Sequence, residues 1–110
     1  MFGIIFESIE TTSDGKIKRL CLALEYKDKT VVICRKFYRA REECESKKRN
    51  VFVYKKYKFL DIDQVYVANA KLRNYLSTFL DMMIEIPEED LKELDKLNNG
   101  KIYEQIDSIT

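Results

Sequence analysis

A thirteen-residue stretch from Lys47 to Phe59 combines six cations with four aromatic side chains. Cations neutralise phosphates, and aromatic rings provide surfaces on which the bases of a single strand stack. The combination predicts a nucleic-acid-binding surface. The candidate contact residues are Lys47, Lys48, Arg49, Phe52, Tyr54, Lys55, Lys56, Tyr57 and Lys58.

The same stretch has two other interpretations if residues 50–59 form a strand. Alternation then places Phe52, Tyr54, Lys56 and Lys58 on one face. Lysines on such a strand oppose aggregation, and tyrosines are good strand formers, so the face can be a solvated scaffold. A second copy of the chain, or another protein, would also cover exposed aromatic rings. The sequence leaves these alternatives open.

The sequence contains few of the residues that catalytic and metal sites commonly use. It contains no histidine, the commonest metal ligand and general base. Its three cysteines do not suffice for a four-cysteine zinc site, and its three glycines are too scattered for a phosphate loop. Solvation and helix N-termini account for the clustered acids. We therefore expect a non-enzymatic protein with no catalytic residues, no metal site and no cofactor.

The net charge of +1 conceals an uneven distribution. Residues 35–58 hold ten cations and three acids, whereas residues 81–110 hold nine acids and three cations. Such a chain can bind a polyanion at its basic part or pair with a second copy. We expect the protein to bind nucleic acid and to form a homodimer. The alternative function is a protein-interaction module, or a dimer, that inhibits a host defence complex.

The elements that position these residues fall into two halves. Residues 2–9, 16–26, 30–38 and 50–59 have the composition and alternation of strands. A three-residue loop at 13–15, with Phe6 opposite Leu22, would keep one sheet face apolar. Helical spacing over 61–86, a start at Pro87 and a short segment at 101–110 predict helices. The expectation is one α+β domain over residues 1–110, an antiparallel sheet of about four strands with two to three helices on one face.

Cys21 and Cys34 are candidates for a disulfide. A two-residue loop at Lys27 and Asp28 pairs strand residues whose numbers sum to 55, so these cysteines lie directly opposite each other. Their expected Cα separation is near the lower end of what a disulfide accepts. Two reduced, buried cysteines in contact are the alternative.

The beginning of the chain and its hydropathy predict an intracellular protein without a membrane partner. No basic residue precedes the apolar residues 2–6, so a secretory signal is not expected. Uncharged apolar runs such as residues 30–34 are far too short to span a bilayer.

The composition is rich in Lys, Ile, Tyr and Glu and contains no Trp. In this it resembles small proteins of filamentous viruses that infect hyperthermophilic crenarchaea. The resemblance implies a viral protein located in the host cytoplasm. A disulfide would fit such a source, because intracellular disulfides are common in hyperthermophilic archaea.

Overall fold

The structure, a computed structural model, describes residues 1–36 and 62–109. Within these residues, five strands form one antiparallel sheet in the order β4-β3-β2-β1-β5. The strands are β1 (Phe2–Thr12), β2 (Gly15–Tyr26), β3 (Lys29–Lys36), β4 (Ile62–Val67) and β5 (Ile84–Glu85). The helices described are α1 (Ala70–Ser77), a short 3-10 helix (Leu80–Met82), α2 (Glu88–Leu97) and α3 (Lys101–Ile109). The predicted α+β fold is confirmed.

The helices lie on both faces of the sheet, not on one as expected. Leu22, Leu24 and Ile33 on one face pack with Leu91 of α2 and Ile106 of α3. We name this the α2/α3 face. The opposite face, named the α1 face, carries a second apolar cluster that includes Leu76 of α1. Its other buried members are Ile4, Cys21, Ala23, Val32, Cys34 and Ala68.

The reason for the second layer is visible in β2. Its central residues, 20–24, are an uninterrupted apolar run of Leu-Cys-Leu-Ala-Leu, and all five are buried. Because successive strand residues point to opposite faces, such a run requires cover on both faces. The sequence prediction considered only the leucines and missed the row formed by Cys21 and Ala23.

The hairpin between β1 and β2 differs by one residue from the predicted register. Phe6 lies opposite Cys21, and Leu22 lies opposite Ile5. The turn residues are Ser13 and Asp14, with Thr12 opposite Gly15. The prediction assumed that one apolar face selects the register, but here either register buries apolar side chains because both faces are covered. Gly15 does adopt the predicted positive φ, at 128°.

The hairpin between β2 and β3 is confirmed as predicted. Lys27 and Asp28 form its two-residue turn with φ values of 47° and 64°, which fits a type I′ turn. Cys21 lies opposite Cys34, and Leu22 opposite Ile33. Cys21 and Cys34 form a disulfide, with their Cα atoms 4.2 Å apart. Both cysteines are fully buried on the α1 face.

The predicted helix over residues 61–86 is wrong in its first part and in its last, where the α-helix ends at Ser77 and Ile84–Glu85 form β5. Residues Ile62–Val67 form β4, which pairs antiparallel with β3. Its branched residues favour a strand, and β3 offers the backbone hydrogen bonds that an isolated segment lacks. The helix begins only at Ala70, where the Asn69 side chain accepts a hydrogen bond of 2.8 Å from the Leu72 N–H.

The C-terminal helices follow their sequence signals. Pro87 caps α2, and three acids occupy its first turn, where the helix dipole favours negative charge. Asn99 and Gly100, with φ values of 57° and 76°, turn the chain into α3. No helix in the described ranges is long and apolar enough to cross a membrane.

Candidate nucleic-acid interface and neighbouring sites

All nine residues predicted to bind nucleic acid lie outside the described residues, as does the predicted strand over 50–59. What the structure does describe is where the segment containing them is attached. β3 ends at Lys36 and β4 begins at Ile62, and Arg35 is paired directly with Ile62. Residues 37–61 are therefore joined to the fold at one end of the sheet, between two neighbouring strands.

Further cations lie at this end of the sheet, which we name the basic end. The β1–β2 hairpin continues past the last residue of β3, since Arg19 is paired with Lys36. Lys16 and Lys18 lie on that protruding part of β2 and are exposed. By alternation they share the α2/α3 face with Leu20, and so does Arg35, which is paired with Leu20. Three cations from two strands thus lie on one face.

Arg19 lies at the same end but on the α1 face, and it is buried. Its Nε donates a hydrogen bond of 2.9 Å to Asp63 Oδ2, and its Nη1 forms an ion pair with Glu10 Oε2. Burial by itself lowers the pKa of Arg19, but the hydrogen bonds and charges of Asp63 and Glu10 outweigh it, so its pKa is raised. The cluster joins β1, β2 and β4 and engages two of the carboxylates at the basic end.

The position of Asp63 depends on an irregularity in the sheet. Cys34 is paired with Gln64 and Arg35 with Ile62, so β4 has one extra residue at this point. Such a bulge redirects a side chain, and here the extra residue is Asp63, bonded to Arg19. The sequence prediction placed Asp63 in a helix over residues 61–86 and missed the cluster. Its three members are separated by 9 and 44 residues along the chain, so only the sheet register brings them together.

An open cleft of about 640 Å³ borders the Arg19 cluster. Ser8, Gln64 and Tyr66 contribute to its lining together with the three charged residues. The two carboxylates are already engaged by a guanidinium, which disfavours a role as free acid or base. Within residues 1–36 and 62–109, no group of three or more Cys, Asp or Glu side chains is arranged to hold a metal ion.

Tyr103 of α3 carries a buried hydroxyl without a hydrogen-bond partner in the described part of the chain. Its ring lies 6.4 Å from that of Tyr26, measured between centroids. Burial raises the pKa of Tyr103, and the neighbouring Tyr26, Glu88 and Asp95 raise it further. Burial also raises the pKa of Tyr66, against the opposing charge of Arg19. Ionisation of these phenols therefore disfavours the folded state.

This predicts a loss of stability at high pH. A tyrosine pKa that is higher in the folded state leaves stability intact below the unfolded pKa of about 10 and reduces it as pH rises through the folded value. Tyr103→Phe should weaken that decline and, at neutral pH, raise the free energy of unfolding by about 1 kcal/mol, because an unpaired buried hydroxyl is removed. Urea denaturation at a series of pH values measures both effects.

The matched control for this prediction is Tyr75→Phe, since Tyr75 is 56% exposed. It should leave the decline of stability with pH as it is in the unmodified chain. An equal decline for the Tyr103 variant and the unmodified chain would contradict the prediction.

An apolar groove of about 170 Å³ lies at the other end of the sheet, on the α1 face. Its floor includes Ile4, Ala23 and Leu76, all buried, and Phe2 and Leu80 on its lining are exposed. The sequence analysis did not single out this groove, because its lining comes from β1, β2, β3 and the α1 region.

Comparisons with known proteins identify no relative of this chain. No family model, curated protein or solved structure matches the chain.

Proposed function

We propose that the protein binds nucleic acid without catalysing a reaction, with the segment of residues 47–58 as the main contact surface. The observation that supports this most is the position of Lys16 and Lys18. They are exposed at the same end of the sheet to which residues 37–61 are attached. The proposal adds the cations of residues 47–58 to this end of the molecule, which would raise the local potential for a polyanion.

The arrangement of acids supports the same proposal. Glu10 and Asp63 are the acids of the Arg19 cluster, on the α1 face. Lys16, Lys18 and Arg35 lie on the α2/α3 face. The two carboxylates of the cluster are thus engaged by Arg19 on the opposite face, whereas the exposed Glu7, paired with Leu20, lies on the face of the three cations. The aromatic residues Phe52, Tyr54 and Tyr57 favour single strands, whose unpaired bases can stack on the rings.

The test is fluorescence anisotropy with a mixed-sequence oligonucleotide, as a single strand and as a duplex, across a range of salt concentrations. We expect tighter binding to the single strand and a linear fall of log K with log salt, because bound phosphates release counterions. Absence of binding at the lowest salt concentration would refute the proposal.

Two sets of variants locate the contact. Lys16→Gln with Lys18→Gln should reduce the salt slope by about 1.4, which corresponds to two lost phosphate contacts on a single strand. Lys27→Gln with Lys29→Gln removes the same charge from exposed residues at the opposite end and is the matched control. Tyr54→Ala should weaken single-strand binding about fivefold to a hundredfold through lost stacking. Circular dichroism would check that each variant is folded.

The proposed setting of this activity is the interior of a cell. The viral origin that the composition suggests, and the host cytoplasm as location, stay predictions.

A further inference from the structure

The apolar groove combines a recess with a protruding side chain. Leu80 on its lining is 64% exposed, the highest value among the large apolar residues in the described part of the chain. Phe2, also on the lining, is 53% exposed. An apolar cavity of about 150 Å³ takes up a molecule the size of benzene. The groove, at about 170 Å³, therefore has room for one apolar side chain such as leucine.

The charges beside the groove are one anion and one cation. Glu25 of β2 and Arg73 of α1 both contribute to its lining and are exposed. Arg73 Nη1 donates a hydrogen bond of 2.8 Å to the Ala68 carbonyl oxygen. No ion pair between Glu25 and Arg73, or between either and another residue, is present among the described residues. Both charges are therefore available to a partner.

We propose that the apolar groove is the interface of a homodimer, in which Leu80 of each copy enters the groove of the other. A two-fold interface uses the same patch twice, so the patch must be complementary to itself. This patch meets that requirement, because it holds a recess and a protruding leucine, and a carboxylate and a guanidinium. In the dimer, Glu25 of one copy faces Arg73 of its partner. A small apolar molecule would fill the recess but would leave both Glu25 and Arg73 without a partner of opposite charge.

The dimer would also place the proposed nucleic-acid surfaces apart. The groove lies near the start of β1 and the β2–β3 turn, whereas residues 37–61 are attached at the basic end. Two copies joined at the groove therefore keep both basic ends free. The dimer does not depend on nucleic-acid binding, so either proposal can fail without the other.

Sedimentation equilibrium of the full chain over a range of concentrations tests the dimer. We expect a monomer–dimer equilibrium for the unmodified chain. Leu80→Glu should raise the dissociation constant about a hundredfold or more, since an anchoring side chain is lost in both copies. Ile9→Glu is the matched control, because Ile9 is 59% exposed but lies on β1 away from the groove, and it should dimerise as the unmodified chain does.

Charge reversal tests which residues face each other. Glu25→Arg alone brings two cations together at each contact, and Arg73→Glu alone brings two anions together, so each variant should be monomeric. An equimolar mixture of the two variants should form a heterodimer, because both contacts are then between opposite charges. Attraction within one chain cannot produce that result.

Three outcomes would overturn the proposal. They are a monomeric unmodified chain at the highest concentration, an equal effect of the Leu80 and Ile9 variants, and a mixture of the two charge variants that remains monomeric. Thermal unfolding of each variant would show that loss of the dimer does not follow from loss of the fold.

Discussion

Replacing Glu10 and Asp63 together by alanine is expected to lower the free energy of unfolding by about 3 kcal/mol, because Arg19 is left as a buried charge without a partner. The Arg19 side chain is only 8% exposed and contacts both carboxylates. The side chains of Asp63 and Glu10 are 25% and 50% exposed, which lets water reach the guanidinium and places the effect near the lower end for a broken buried pair. Urea denaturation followed by circular dichroism measures the loss.

Adding Arg19→Met to that double variant tests whether the unpaired charge of Arg19 causes the loss of stability. Methionine keeps much of the apolar stem but removes the charge, and replacement of a complete buried ion cluster by apolar groups is often close to neutral. We therefore expect the triple variant to recover most of the lost stability. If it is as unstable as the double variant, the loss comes from packing of Glu10 and Asp63 and not from the stranded charge.

Replacing Cys21 and Cys34 together by alanine is expected to lower the free energy of unfolding by about 3 kcal/mol. The disulfide joins residues 13 positions apart, and closing a loop of this length restricts the unfolded chain by about that amount. Lost packing of two fully buried sulfur atoms acts in the same direction. Denaturation with and without reductant gives the size of the effect.

The reductant provides an internal control. The unmodified chain should lose stability after reduction in denaturant, whereas the double alanine variant should not respond. Cys44→Ala, which leaves the pair intact, should respond as the unmodified chain does. Because both sulfur atoms are buried, reduction without denaturant should be slow and limited by opening of the fold. An intact mass that reductant leaves unchanged in denaturant would show that the bridge is absent.

The alignment of Cys21 with Cys34 shows how far local sequence can determine a contact. The loop of Lys27 and Asp28 has two residues, and strand side chains alternate with a period of two. Those two facts alone fix every pair in that hairpin, and the observed register agrees. The start of α2 at Pro87 and the turn at Gly100 are local in the same way, because each depends on the backbone preference of one residue.

The residues of β4 show where local information ends. Ile62, Val65 and Tyr66 fit the spacing of a helix, and the sequence alone favoured that interpretation. In the fold, β4 pairs with β3 on both sides of the bulge at Asp63, and apolar layers on both faces accept its apolar side chains. Pairing with β3, which is distant in sequence, therefore determines that the residues of β4 form a strand and not a helix.

The sequence by itself determined the α+β class, the β2–β3 hairpin with its facing cysteines and the start of α2 after Pro87, because each follows from short-range backbone geometry. Only the tertiary structure decided the second apolar layer, the β1–β2 register, the Arg19 cluster and the apolar groove. The second apolar layer, the Arg19 cluster and the groove bring together side chains from elements far apart in the chain, whereas the β1–β2 register concerns two consecutive strands. Their pairing depends on which faces are covered, and coverage is a property of the assembled sheet and helices.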